Sequence, residues 1–292
     1  MENTLLSPLM DYIFSLIFGD QRNIDIVTAF LKTVLNIPEE EYGHLTIVNP
    51  FLKRIFKKDK SGIVDVRLNT RSGKVLHIEL QVKKTQKMRN RIIYYFSKLF
   101  WEQLKSGEKW GKLNQVISIV ICDHVLVPEE TQYLNSYSLL NERTGNRFTD
   151  LLKVIILELP KLPREDEQDP VWAWMRFFKC KTEGEYDMLA RKHPEVGKAV
   201  TVLKTLSWSE RRRDIAYHKW LRKIDDETEK EELREEAQAE GRAEGLAEGR
   251  SEGLAEGLAK GRSEGLAEGE AKNQKALEEM ERENAELRRR LQ

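Results

Sequence analysis

Two short runs of alternating apolar and polar residues, joined by a tight turn, constrain the fold of this chain more than any other feature. Residues 63–69 and 75–82 each place an apolar side chain at every second position, which is the period of a strand with one apolar face. Arg71-Ser72-Gly73 lies between the two runs and supplies the turn. The sequence therefore predicts an antiparallel hairpin with one apolar and one polar face.

The polar face of this hairpin brings acidic residues together. If pairing is centred on Ser72, Asp65 faces Glu79 across the two strands, with Cβ atoms about 5 Å apart. Two carboxylates at that separation repel each other unless a divalent cation lies between them, and Mg²⁺ prefers such oxygen ligands. The backbone carbonyl of Leu80 is a further candidate ligand. Gln81, on the same face, could orient a water or contact a scissile phosphate.

A second interpretation of the hairpin stays open on the residues alone. An exposed hairpin face also alternates polar side chains, and Arg67 and His77 could screen the two carboxylates. A shift of one residue in the turn would also change which side chains face each other.

The body of the chain alternates helical and strand patterns. Helices are predicted at residues 7–18, with Ser7 as the cap, and at 23–35 and 86–105. Besides the hairpin, strands are predicted weakly at 45–48 and as buried apolar runs at 116–121 and 154–159. Further helices are predicted at 170–181, 185–192, 195–207 and 209–224. This order indicates an α/β fold, a mixed sheet flanked by helices, followed by a helical subdomain.

The composition changes near Asp225. Residues 225–292 hold 21 acidic and 12 basic residues, a net charge of −9, so the body carries +9 because the whole chain is neutral. From Glu240 the sequence repeats with a period of four and places glycine at every fourth position up to Gly269. Each glycine inside a helix costs about 1 kcal/mol relative to alanine. The repeat is therefore either flexible or a helix whose glycine stripe admits a partner chain.

The last residues carry a short heptad pattern. Leu277, Met280, Asn284, Leu287 and Leu291 follow 3–4–3–4 spacing, with Asn284 at an a position. A buried asparagine there favours a parallel, in-register dimer. This pattern predicts a homodimer or higher homo-oligomer through a C-terminal coiled coil. Because only two heptads are present, a frayed amphipathic helix is the alternative.

Charge and composition limit the setting and the partners. The chain has two cysteines, no signal-like N-terminus and no apolar run of about 18 residues, so we expect a soluble cytoplasmic protein without a membrane partner. A basic body indicates an anionic partner. Five cations follow the second hairpin strand and would neutralise DNA backbone phosphates, although a solvated helix start is the plainer interpretation. They are Lys83, Lys84, Lys87, Arg89 and Arg91.

Several segments resemble one nuclease family. A strand aspartate, a hairpin turn and then Glu-x-Lys or Glu-x-Gln are typical of the PD-(D/E)XK nucleases. Residues 10–20 (MDYIFSLIFGD), 63–82 (IVDVRLNTRSGKVLHIELQV) and 89–121 are similar to successive segments of the Rpn family of recombination-promoting nucleases, also called PD-(D/E)XK nuclease family transposases. The glycine repeat is also frequent in that family.

The resemblance implies a fold, an activity and a set of site residues. It implies a restriction-endonuclease-like α/β core and cleavage of DNA, dependent on Mg²⁺ or Mn²⁺ and linked to recombination or mobile elements. By position, Asp65 and Glu79 would be metal ligands, and Asp11 on the first helix would add an acidic group near the metal. Gln81 takes the place of the superfamily's lysine and, being neutral, cannot stabilise developing negative charge in the same way.

We therefore expect a nuclease core at 1–163, a helical subdomain at 164–224, a charged linker with the glycine repeat at 225–271 and a short coiled coil at 272–292. The leading functional hypothesis is a metal-dependent DNA endonuclease that acts as a dimer. The first rival is a catalytically weak DNA-binding accessory protein of recombination. The second rival is a self-assembling scaffold driven by the tail.

Overall fold

A six-stranded mixed sheet lies at the centre of the body in the computed structural model. The structure describes residues 5–48, 65–85, 87–165 and 169–290, and of residues 65, 284, 286, 287 and 290 it describes only the backbone. The strands are Thr46–Val48 (β1), Asp65–Asn69 (β2), Val75–Gln81 (β3), Val116–Cys122 (β4), Leu134–Ser138 (β5) and Leu152–Glu158 (β6). Their spatial order is β1-β2-β3-β4-β6-β5. The inner pairs β3–β4 and β4–β6 are parallel, and the other three pairs are antiparallel.

The described residues also form seven α-helices. They are Asp11–Phe18 (α1), Ile24–Val34 (α2), Met88–Trp101 (α3), Pro170–Lys179 (α4), Glu183–Lys192 (α5), Gly197–Trp208 (α6) and Glu210–Arg290 (α7). Helix α3 connects the parallel strands β3 and β4, because such strands need a crossover connection rather than a tight turn. The predicted α/β class, a mixed sheet flanked by helices, is confirmed, whereas a separate helical subdomain stays a prediction.

The two faces of the sheet are covered by different helices. On one face, Ile78 and Leu80 of β3 belong to a large apolar core that also contains buried side chains of α1, α2, α4, α5 and α6. On the other face, α3 buries Ile92, Phe96 and Leu99 against apolar residues of β3, β4 and β6. Because neighbouring residues of a strand point to opposite faces, each β3 side chain is assigned to one of these two layers.

The hairpin has the register that the sequence predicts. Strand β2 pairs antiparallel with β3, and Asp65 is the partner of Glu79. Gly73 adopts a φ of +90° in the connecting turn, and a Cβ at this position would lie 2.9 Å from the side-chain amide nitrogen of Asn114. Glycine meets both requirements because it tolerates positive φ and has no Cβ.

Some predicted elements differ from the observed ones. Helix α1 begins at Asp11 and not at Ser7, which instead lies in a preceding turn and accepts a hydrogen bond from the Leu9 N–H at 3.2 Å. Helix α3 ends at Trp101, four residues before the predicted end. The strand β5 was not predicted at all. The predicted strand positions 63 and 64 and the predicted helix start at 86 lie outside the described residues.

The tail is helical along its described length. Chain contacts divide the protein into two units, Met1–Leu221 and Arg222–Gln292. Helix α7 runs through the glycine repeat to Arg290, and a Cβ added at any repeat glycine would meet nothing within 4 Å. The side chains of the predicted seam are exposed at Leu277 and Met280, whereas those of Asn284, Leu287 and Leu291 lie outside the described part of the chain. The coiled coil stays a prediction.

Over the ranges given above, none of the helices combines the length and the apolar character that a membrane crossing requires.

Candidate active site

Glu79 and Gln81 lie at the carboxyl end of β3, on the face that α3 covers. Leu80 between them points into the opposite core, so the alternation of the strand directs both polar side chains toward α3. Glu79 is 1% exposed, and Gln81 is also buried. The side-chain amide of Gln81 donates a hydrogen bond to the Glu79 carboxylate. The sequence pattern predicts a polar hairpin face, and the structure buries the β3 part of that face.

Asp65 is the backbone partner of Glu79 in this register. The side chain of Asp65 is not among those that the structure describes. The Leu80 carbonyl belongs to the same strand end. Asp11 is the first residue of α1, and the buried side chains of that helix belong to the core on the other face of the sheet. Its membership of the site stays a prediction.

The two residues that could screen the carboxylates both have partners farther along the sheet. Arg67 and His77 are register partners, two positions nearer the turn than Asp65 and Glu79. The Arg67 guanidinium donates to Glu102 at 3.3 Å. The buried His77 ring lies 3.0 Å from the Ser118 hydroxyl through Nδ1. Both contacts support a packed polar layer rather than a solvated hairpin face.

A buried carboxylate that sequence reasoning missed lies on the same rung as Gln81. In the sheet register, Gln81 pairs with Cys122, and Cys122 pairs with Glu158 at the end of β6. Two strand spacings place the backbones of Gln81 and Glu158 about 10 Å apart. Glu158 is fully buried. A signal was available, because a charged residue at the carboxyl end of an apolar parallel strand lies where open α/β sheets bind ligands.

Glu158 is held by donors from the β4–β5 connection and by a lysine. Its Oε1 accepts from the N–H groups of Leu126 at 2.6 Å and Val127 at 3.0 Å. Its Oε2 accepts from Lys161 at 2.5 Å, and Lys161 also donates to the Val127 carbonyl at 2.6 Å. These bonds satisfy the buried charge and fix the connection beside the site.

Burial and nearby charges shift the pKa values of two titratable groups near the strand ends. Burial raises the pKa of the Cys122 thiol well above its usual range, and the nearby carboxylates of Glu158 and Glu79 raise it further. Burial also lowers the pKa of His124, as does the positive charge of Lys84. The thiol is therefore protonated and a poor nucleophile, and the imidazole is neutral at pH 7.

The predicted basic residues follow the site along the chain. Lys83, Lys84 and Lys87 are exposed. Arg89 is engaged with the β4–β5 connection, since it donates to the Leu126 carbonyl at 3.0 Å and pairs with Glu129 at 2.7 Å. The guanidinium of Arg91 lies over the ring of Tyr95, at 5.8 Å from its centroid. These three contacts of Arg89 and Arg91 lie within the body, and the sequence does not indicate them.

The oxygen atoms at the end of the hairpin are the candidate ligands for a metal ion. Within the part of the chain whose side chains are described, no group of three or more His, Cys, Asp and Glu residues is arranged to hold a metal. The candidate set is smaller: the carboxylates of Glu79 and Asp65 and the carbonyl of Leu80. All three are oxygen donors, which fits a hard cation such as Mg²⁺ or Mn²⁺.

Comparison with known proteins gives one family match. The sequence model of the PD-(D/E)XK nuclease family transposases matches residues 8–233. Nothing among curated proteins matches this chain, and nothing among solved structures matches it. PD-(D/E)XK nucleases generally use divalent metals, and their substrate is DNA. The match covers the sheet, the hairpin and helices α1 to α6, so this chain belongs to the PD-(D/E)XK nuclease family transposases.

Proposed function

We propose that this chain is a Mg²⁺-dependent DNA endonuclease that hydrolyses phosphodiester bonds in DNA recombination or in mobile-element activity. One observation carries the proposal: the hairpin register pairs Asp65 with Glu79 in a chain that belongs to a nuclease family. A sheet gains no stability from two carboxylates at facing positions. A divalent cation turns the same arrangement into a favourable one.

Asp65, Glu79 and the Leu80 carbonyl would hold the cation. When bound, Mg²⁺ or Mn²⁺ would polarise the phosphoryl oxygen, acidify a bound water and steady the leaving oxygen. The burial of Glu79 supports this role, because a charged carboxylate away from water needs hydrogen bonds or a cation to compensate it. The Gln81 amide holds one oxygen of Glu79, and so fixes the orientation of that carboxylate.

The cations after β3 would position the DNA. Lys83, Lys84 and Lys87 are exposed and follow the site directly in the chain. Lysines bind phosphate as point charges and carry no base specificity, so they would set the register of the backbone against the site. Arg89 and Arg91 would contribute positive charge from the contacts they already make.

A plasmid-nicking assay tests the proposal. The full chain is incubated with supercoiled plasmid in Mg²⁺ and in EDTA, as wild type, as Asp65→Asn and as Asp150→Asn. Asp150 is an exposed carboxylate before β6 that pairs with Arg147, so it is a matched control outside the site. We expect nicking only in Mg²⁺, a loss of about a hundredfold or more in Asp65→Asn, and wild-type activity in Asp150→Asn.

The identity of Gln81 favours a second candidate, a catalytically weak DNA-binding accessory protein of recombination. A neutral amide replaces the superfamily's lysine and supplies no positive charge to the transition state. This candidate requires DNA binding that persists in EDTA, together with no nicking in Mg²⁺. That outcome would exclude the endonuclease.

Dimerisation through the C-terminal tail completes the proposal. Leu277 and Met280 occupy predicted seam positions and are exposed in the single chain. A parallel pairing of the tails would join two bodies, and two metal sites could then cut both strands of a duplex.

A further inference from the structure

The outer face of α3 carries exposed rings. Tyr94 is 63% exposed and Trp101 is 78% exposed, although α3 buries its other face against the sheet. Ile93 beside them is 55% exposed. Large exposed aromatic side chains on one helix face mark an interaction surface more often than isolated apolar residues do.

Helix geometry aligns these rings. Tyr94 and Trp101 are seven residues apart, which is nearly two turns of an α-helix, so the two rings lie in one row. The rise between them is about 10.5 Å at 1.5 Å per residue. That distance equals about three base steps of 3.4 Å along one DNA strand.

A row of cations runs beside the ring row. Lys87, which is exposed, and Arg91 and Lys98, which are half-buried, lie on one flank of the same face, at angular positions adjacent to Tyr94 and Trp101. We call these five residues the α3 track. The track begins at Lys87, at the N-terminal end of α3. Lys87 follows Gln81 of the candidate site by six residues.

The charge of the surrounding segment indicates what the track binds. Residues 83–112 contain nine lysines and arginines and only two glutamates. Both glutamates are already paired, Glu102 with Arg67 at 3.3 Å and Glu108 with Lys112 at 2.8 Å. A surface with such an excess of positive charge attracts a polyanion and repels another strongly basic surface. This complementarity favours nucleic acid over a second copy of the body.

We propose that the α3 track binds DNA as a single strand, with bases stacked on Tyr94 and Trp101 and phosphates along Lys87, Arg91 and Lys98. Proteins that hold single strands combine aromatic platforms with a cationic groove in this way. In a duplex each base is already stacked on its neighbours, so exposed aromatic side chains gain little stacking by contacting a duplex. The inference rests on the proposed nuclease function and specifies its substrate as DNA with an unpaired strand.

Binding in EDTA tests the track without cleavage. Fluorescence anisotropy measures the affinity of the full chain for a labelled thymidine strand of about 20 nucleotides, longer than a typical single-strand site, and for a duplex of equal length. The variants are Tyr94→Ala and Trp101→Ala, with Tyr94→Phe and Trp101→Phe as matched controls that keep a ring. Both positions are exposed, so the substitutions leave the core intact.

We expect tighter binding to the single strand than to the duplex. Each alanine variant should lose about tenfold in single-strand affinity, and each phenylalanine variant should stay within about twofold. Duplex affinity should change little in any of them. Equal binding of the single strand by wild type and alanine variants would overturn the proposal, as would an equal loss on both DNA forms.

Two further measurements separate this proposal from its alternatives. If alanine at these positions lowers the mass of the assembly in sedimentation and leaves DNA binding unchanged, the face joins copies of the chain and the proposal fails. The plasmid assay reports on the metal site independently. If the chain nicks DNA but binds the single strand equally well without the rings of Tyr94 and Trp101, the α3 track is refuted and the endonuclease is not. If single-strand binding depends on the rings but no nicking occurs, the track is supported and the endonuclease is refuted.

Discussion

Gln81 stands beside the proposed metal ligand on the same strand face, and its amide donates a hydrogen bond to the Glu79 carboxylate. Both side chains are buried under α3, so the contact is shielded from competing water. A group that orients a metal ligand in this way typically changes metal affinity or activity by about 10- to 100-fold when it is removed. Gln81 therefore acts as a positioning residue in the proposed site.

The variant Gln81→Met tests this role, since methionine keeps the volume of the side chain and removes the amide donor. We expect its nicking rate at limiting Mg²⁺ to fall by about 10- to 100-fold, and to recover partly at high Mg²⁺. The control Ser118→Ala removes the hydroxyl beside His77 on the same face of the sheet. A Gln81→Met variant with wild-type Mg²⁺ dependence would contradict the assignment.

The sequence predicts that Asp65 pairs with Glu79, but it does not predict the buried carboxylate near that pair. The turn residues and the alternation were sufficient to match Asp65 with Glu79, because a hairpin register is a local property. Glu158 comes beside Gln81 only through two parallel strand pairings, each closed by a long connection. Such nonlocal contacts leave no periodic pattern in one sequence, and so the sequence pattern shows Glu158 only as part of an apolar run.

The turn of the β2–β3 hairpin is bound by a residue from outside the hairpin. Glu41 lies in the short 3-10 helix Glu39–His44 and binds the turn between β2 and β3. Its carboxylate accepts from the Ser72 hydroxyl at 2.7 Å, from the Ser72 N–H at 3.2 Å and from Lys74 at 2.8 Å. The turn sets the register, so this carboxylate helps to keep Asp65 opposite Glu79.

The variant Glu41→Gln should be less stable than wild type in a pH-dependent manner. Lys74, then the hydroxyls of Ser72 and Thr70, lower the pKa of Glu41 from 4.5 to about 2. Because the folded-state pKa lies below the unfolded value, the stabilisation is fully present above about pH 5 and is lost as the pH falls toward 2. We expect a free energy of unfolding about 1 kcal/mol lower in the variant at pH 7.

Chemical denaturation of both proteins at pH 7, 4 and 3 measures this difference. The gap between wild type and Glu41→Gln should narrow at each step toward low pH. A gap that stays constant, or widens, would show that the charge of Glu41 does not stabilise the turn.

The element boundaries show where sequence patterns lose information. Strand β5 was missed because it forms the sheet edge next to β6, where its residues are only partly covered and carry no apolar alternation. Ser7 and Pro8 resemble a helix start, but the chain makes a turn before α1, and Met10 precedes the helix without a side-chain cap. Capping residues also favour turns, so the residues alone do not distinguish the two.

In the whole molecule, the helical conformation of the tail is the feature that a single chain explains least. Helix α7 continues through a repeat whose glycines each disfavour a helix by about 1 kcal/mol. The glycine positions are open, which leaves room for a close partner, and the exposed leucines of the repeat would gain from burial. The sequence alone leaves the repeat either flexible or helical, because the cost of the glycines opposes a helix and only the proposed partner chain would offset that cost.

Removal of residues 225–292 should convert the protein from a dimer to a monomer. We expect the full chain of 34.2 kDa to scatter light as a dimer, and the shortened chain to remain folded because residues Met1–Leu221 form a separate compact unit. The control Asn284→Leu keeps the tail but removes the polar a position, which should admit higher oligomers. An unchanged number of chains per particle after truncation would refute tail-driven assembly.

The proposed nuclease activity depends most on a divalent cation held between β2 and β3. Calorimetric titration with Mn²⁺ in the absence of DNA measures the binding of this cation directly. We expect one site in the wild type, an affinity at least about tenfold weaker in both Asp65→Asn and Glu79→Gln, and no change in the control Asp150→Asn. Equal Mn²⁺ affinity in all four proteins would contradict the proposed metal site and, with it, the nuclease mechanism.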